Sequence, residues 1–186
     1  MRAVVASLRA SRHDEGGYTV TELLCVMAIL GVVIGSLTVM LTSASAAQQR
    51  MSLEFQAQTD ARMALDRLRR EARAACSVTP AGASSTITFQ YVTAGSCSGG
   101  NQVSWCTVAN GTSRWGLHRQ AGATCGASGV RVADHLTVAT AFDHQTATGR
   151  RPKVVVTLAI NPNPLKPART YRLVGDVVLR NATRST

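Results

Sequence analysis

The sequence predicts an α+β protein: one long N-terminal α-helix, apolar in its first half and amphipathic in its second, packed against an antiparallel β-sheet head. Three observations predict it. The nineteen residues from Leu23 to Leu41 carry no charge; a stretch free of Gly and Pro, with helical spacing of apolar residues, runs from Ala44 to Ala75; and short alternating segments separated by turn residues fill the remainder. The chain has 186 residues, 45% apolar and 16% charged. That length allows one domain plus an appendage and excludes a two-domain enzyme of standard size. A charged fraction so far below the roughly 25% of soluble domains places much of the apolar content outside an ordinary core.

The apolar run accounts for it. At about 1.5 Å per residue it covers roughly 28 Å, the thickness of a bilayer's hydrocarbon core. Arg2, Arg9 and Arg12 precede it and only Arg50 stands in the twenty residues after it. The positive-inside rule therefore predicts a cytoplasmic N-terminus with the head on the opposite side. An ordinary secretory signal cut after Ala46, at Ala44-Ser45-Ala46, would instead release a soluble domain. The run exceeds the 7–15 residues or so of such a signal, and the helical pattern continues through the cut site.

The residues ahead of the run are more specific. A short basic leader ends in Gly16-Gly17, Tyr18 and Thr19 follow, and Glu22 stands at the lip of the apolar segment. This resembles the N-terminal signal of type IV pilins and type II secretion pseudopilins. The resemblance implies cleavage by a prepilin peptidase between Gly17 and Tyr18, methylation of the new N-terminus, retention of the apolar helix, and assembly into a filament through that helix. Tyr18 stands where the family most often has Phe. A carboxylate in hydrocarbon costs about 2.5–3.5 kcal/mol, so Glu22 is expected to be paired. The amine freed at Tyr18 lies one helical turn away and is its natural partner, in the same subunit or a neighbour. Gly31 and Gly35 add a G-x-x-x-G spacing that permits close helix approach, although isolated glycines are common in membrane helices.

Beyond the span, Ala61, Leu65, Leu68, Ala72 and Ala75 recur at helical spacing and predict one buried stripe, with Arg62–Asp66, Asp66–Arg70 and Arg67–Glu71 as i,i+4 pairs on the other faces. A helix from Tyr18 to Ala75 would be roughly 85 Å long, so its outer part is expected to pack on the head. Pro80 and Gly82 end it. Strands are predicted around Ile87-Phe89-Tyr91 and Val103-Trp105, joined through Asn110-Gly111 as a two-residue hairpin signal to Arg114–Arg119; a further strand candidate spans Val132 to Phe142, a pattern also compatible with a short helix. Lys153–Ile160 and the segment from Arg169 to Asn181 complete the sheet. The expected organisation is a leader over 1–17, a membrane and filament helix over 18–45, and an exported head over 46–186, with its helix at 46–76 and its sheet at 84–181.

Of five cysteines, Cys25 lies in the apolar run and reads as a small apolar filler, while Cys76, Cys97, Cys106 and Cys125 fall in the exported part, where disulfides persist. Four cysteines allow three connectivities. Cys97–Cys106, closing a short loop, and Cys76–Cys125, tying the helix end to the sheet, are the favoured pairs. No CxxC or paired-His spacing points to zinc, and no metal or cofactor is expected. The last sixty-one residues hold no cysteine, whereas major pilins carry a disulfide near the C-terminus; the final strand, Tyr171 to Asn181, looks like the ending of minor pseudopilins of the J or W type. The resemblance thus implies a minor subunit acting at initiation or tip.

Catalysis is not expected. His118, His135 and His144, with Asp134 and Asp143, are the acid–base candidates, and the adjacent Asp134-His135 and Asp143-His144 pairs point to opposite faces of a strand. The formal charge of +10 leaves nucleic-acid binding, as in a DNA-uptake pilus, as an alternative supported by charge alone. The partners implied by the resemblance are other pilin or pseudopilin subunits, the prepilin peptidase, an inner-membrane assembly platform, and lipid before assembly. The implied location is the cytoplasmic membrane, single-pass, and then a filament.

Overall fold

A computed structural model describes residues 19–93, 95, 97, 100–146, 150–163 and 167–182. The fold is α+β: a helix, α1 (Val20–Ala74), and an antiparallel sheet of nine strands. The chain divides into two compact units, Met1–Gln48 and Gln49–Thr186. In the first, α1 is exposed at every described residue.

In the second unit, the remainder of α1 buries Ala57, Ala61, Ala64, Leu65, Leu68 and Ala72 against the sheet. All five residues of the predicted stripe are buried, Ala75 just past the helix end included. Their smallness brings the helix axis close to the strands. The strands are β1 (Ser77–Thr79), β2 (Gly82–Ser84), β3 (Thr86–Gln90), β4 (Gln102–Ala109), β5 (Trp115–Ala121), β6 (Val130–Leu136), β7 (Phe142–Gln145), β8 (Lys153–Ile160) and β9 (Tyr171–Val178). Their order is β1-β3-β4-β5-β6-β8-β7-β2, with β9 also on β8. β8 alternates buried Val154, Val156 and Leu158 with half-buried neighbours, as a strand with one face on a core must. β9 crosses α1 at Gly175, where a Cβ would stand 2.9 Å from Arg69 Nη2 and 3.0 Å from Leu65, so the absence of a side chain there lets the strand approach the helix closely.

Four expectations change. The segment Val132 to Phe142 is not one strand; β6 ends at Leu136 and β7 begins at Phe142, and the two pair with different stretches of β8. The β4–β5 hairpin forms, but Asn110 pairs with Arg114 and the tip is Gly111–Ser113, where Gly111 and Ser113 take positive φ values of 95° and 58°. Asp66 pairs with Arg69 at 3.4 Å rather than with Arg62, whose guanidinium instead donates to the Tyr171 hydroxyl at 3.1 Å. The disulfides are Cys76–Cys97 and Cys106–Cys125, not the favoured pairs. Strand register explains this. The Cys76 amide donates to Gln90 O, where β3 ends and the loop carrying Cys97 begins, whereas Cys106 lies four residues into β4, opposite His118 of β5 and near the loop bearing Cys125. At about 3.3 Å per residue, Cys106 is some 13 Å along the strand from the β3–β4 loop.

One carboxylate fastens the helix to the sheet. Glu71 Oε2 accepts from Trp105 Nε1 at 2.7 Å, and Oε1 accepts from Arg119 Nε at 2.8 Å and Arg67 Nε at 3.3 Å. Trp105 is fully buried, and the Glu71 and Arg119 side chains are 15% and 22% exposed. Tyr91 senses the same cluster: burial, then the Glu71 charge, push its phenol up to about 12 against the opposing pull of Arg119. Removing Glu71 leaves a buried indole N–H and a shielded guanidinium without acceptors. Glu71→Ala should cost about 2–4 kcal/mol and lower the melting temperature by roughly 5–10 °C. Asp66→Ala, on the exposed pair, should cost under about 0.5 kcal/mol; circular-dichroism melts of the two variants in detergent check the contrast.

Candidate functional site

The apolar segment of α1 is the feature that the rest of the molecule does not account for. Its start is set by Thr19, whose Oγ1 and carbonyl oxygen both accept from the Glu22 amide, at 3.4 and 3.0 Å, with Leu23 N also donating to the carbonyl at 3.2 Å. Thr19 is thus an N-cap and Glu22 the third helical residue, the spacing of a capping box. A carboxylate there also meets the positive end of the helix dipole. Among the described residues Glu22 makes no ion pair. Gly17 and Tyr18, the expected cleavage pair, lie outside the described residues.

From Val20 to Leu41 fourteen large apolar side chains are exposed, between 47% and 76% of their surface. The hydroxyls among and after them are turned inward to the helix: Ser36 donates to Val33 O, Thr38 to Ile34 O, Thr42 to Val39 O and Ser43 to Met40 O, all at 2.8–3.0 Å. The helix backbone and these four hydroxyls are therefore satisfied within the segment, as a helix in hydrocarbon requires. This one helix is long and apolar enough to cross a membrane. Gly31 and Gly35 meet nothing within 4 Å, which leaves their side of the helix open, and Cys25 is an exposed free thiol.

A membrane-length apolar helix that continues into a disulfide-bonded antiparallel head defines the class: it is compatible with a pilin-like architecture and with pilin-like assembly. Comparison with known proteins finds no matching family model, no matching curated protein and no matching solved structure.

The acid–base candidates are dispersed. His118 is on β5, its Nδ1 3.1 Å from Gly129 O; His144 is buried on β7, its Nδ1 3.2 Å from Pro80 O; and Asp143 accepts from Gln145 Nε2 at 2.6 Å. Asp134 and His135 are joined through the backbone, the His135 amide donating to Asp134 Oδ1 at 2.8 Å. Burial alone would push the Asp134 carboxyl up, but that amide, the Asn110 side chain and the His135 and Arg131 charges hold it below the ordinary carboxylate range. Two features escaped sequence reasoning. The T-x-x-E spacing at Thr19 and Glu22 was a visible capping signal, whereas Glu71 carried no signal beyond its i,i+4 pairing with Arg67, because its main partners are on β4 and β5.

A folded-state pKa below the unfolded value contributes stability above the unfolded pKa, lost as pH falls through the lowered value. The wild-type chain should therefore lose stability on acidification below about pH 4 more steeply than Asp134→Asn, a difference that melts taken between neutral and acid pH will register.

Proposed function

We propose that this chain is a minor pilin or pseudopilin subunit, made as a membrane-held precursor, cut after Gly17 by a prepilin peptidase, and assembled through its apolar helix into a type IV pilus or type II secretion pseudopilus, at its initiation or tip. The uncovered apolar segment carries the proposal. Keeping fourteen such side chains in water costs on the order of 20–40 kcal/mol, several times the net stability of a typical domain, about 5–15 kcal/mol. Lipid must cover the segment before assembly and other subunits' helices afterwards. The glycine-aromatic-glutamate leader supports the further step of cleavage.

Glu22 is then the group that couples processing to assembly. Cleavage before Tyr18 would create an amine four residues from it, and pairing with that amine in a neighbour offsets the cost of bringing the carboxylate into the filament interior. The open side at Gly31 and Gly35 supports close helix approach in the same bundle. The assembly platform of the inner membrane and the peptidase are the other partners this reading requires.

Edman sequencing of the mature protein should start at Tyr18; a start at Ala47 would replace this reading with a secreted domain. Glu22→Ala should be cleaved normally yet enter sheared filaments at least tenfold less, by immunoblot, than wild type; equal incorporation would remove the role given to this carboxylate.

A further inference from the structure

β8 runs beside β6 only as far as Leu136↔Ile160, the last contact being Asn161 N donating to His135 O at 2.9 Å. Continued in that register, residues 161–166 would lie along 135–130. The sequence there is Asn-Pro-Asn-Pro-Leu-Lys, and Pro162 and Pro164 have no amide hydrogen to give a ladder. The chain turns off at once, Asn161 Oδ1 accepting the Asn163 amide at 2.9 Å. Among the described residues, Val130 to Asp134 therefore have no strand partner on that side.

Beside this stretch of β6 is a cleft of ≈ 280 Å³, bordered on its other side by α1. Its strand wall is five consecutive residues, 131–135, which is the signature of a strand edge rather than of one strand face; its helix wall is Leu53, Gln56, Ala57 and Asp60, one i, i+3, i+4, i+7 face. β6 is bulged twice against β5, and His135 sits in the left-handed region at φ 63° with its Nδ1 buried and unpartnered. Such strain and such an orphan atom ask for an explanation. One carboxylate of the cleft stands uncompensated on a chain of net charge +10: Arg131 pairs with Asp134 at 3.1 Å, while Asp60 makes no ion pair among the described residues.

We infer that this cleft receives an extended segment of a partner polypeptide, which adds as a strand to the open edge of β6 and places a basic side chain at Asp60. The occupant needs what the chain's own continuation lacks, a run of free amide hydrogens, and main-chain pairing supplies affinity while the helix wall selects side chains. This does not depend on the reading of the apolar helix.

The test uses the full chain in detergent micelles and a fluorescein-labelled peptide of alternating valine and threonine with one central arginine. Saturable binding by fluorescence anisotropy is expected, at least tenfold weaker when the peptide's central residues are replaced by proline or its arginine by glutamate. Asp60→Asn should weaken the arginine peptide severalfold and, by removing a like-charge repulsion, strengthen the glutamate peptide. Bound peptide should slow amide exchange across Val130–Asp134 at least tenfold. Leu53→Trp, at a position 55% exposed and so tolerated by the fold, should block the cleft and abolish binding. No saturable binding, equal binding of the proline peptide, or binding that survives Leu53→Trp would overturn the proposal.

Discussion

The head depends on how the last turns of α1 meet β4 and β5, and there the contact is polar at its centre and apolar around it. Glu71 occupies the one position on the stripe side of the helix from which a carboxylate reaches both the Trp105 indole on β4 and the Arg119 guanidinium on β5. Apolar packing by Ala61, Leu65, Leu68 and Ala72 would hold a helix on a sheet at many rotations and offsets, because the hydrophobic effect has no direction. Two hydrogen bonds to different strands, made by two oxygens of one side chain, admit one. The two disulfides act on the same region from outside: one joins Cys76, the second residue past the helix, to the β3–β4 loop, the other joins β4 to the loop after β5. Closing loops of about twenty residues contributes about 3 kcal/mol each in the chain-entropy account.

The same helix obeys opposite rules along its length. From Gln49 onward it has one apolar stripe and charged faces, and Arg62 finds an acceptor on β9 while Arg67 and Arg69 find theirs on the helix itself. Before that point it is apolar on every face and its hydroxyls bond to their own backbone. Nothing in helix geometry requires such a change; the first part has the length and composition of a helix that could cross a membrane. Thr19 and Glu22 mark the end of the oily stretch with a cap whose charge suits the helix dipole, so the acid that is costly in hydrocarbon is placed where the helix itself tolerates it best.

Periodicity made the stripe and the α+β class legible, because helix and strand periods are local properties of the chain. Every residue from Ala61 to Ala75 assigned to the stripe is buried. The disulfides were not legible: the favoured pairs minimised a loop in sequence, whereas the register Phe89↔Val103 and Cys106↔His118 decides which loops meet in space. Asp66 likewise chose Arg69 over Arg62, since Tyr171, 109 residues away, competes for Arg62. The division of Val132–Phe142 into β6 and β7 escaped for the same reason; both halves alternate correctly, and what separates them is that β8 pairs with each over different residues.

β8 also decides where the sheet stops. One of its edges is shared, with β7 along Lys153–Val156 and β6 at Ile160, while the other takes β9 along its full length. A strand that serves two neighbours on one edge forces the sheet to curl around it, and the bulges of β6 supply the twist that the curl requires. Pro162, the next residue but one after Ile160, has no amide hydrogen to give a ladder, and the Arg169–Glu54 pair, at 3.1 Å, returns the chain to the helix before β9 begins. The open edge of β6 is therefore a consequence of sequence chemistry at the end of its neighbour.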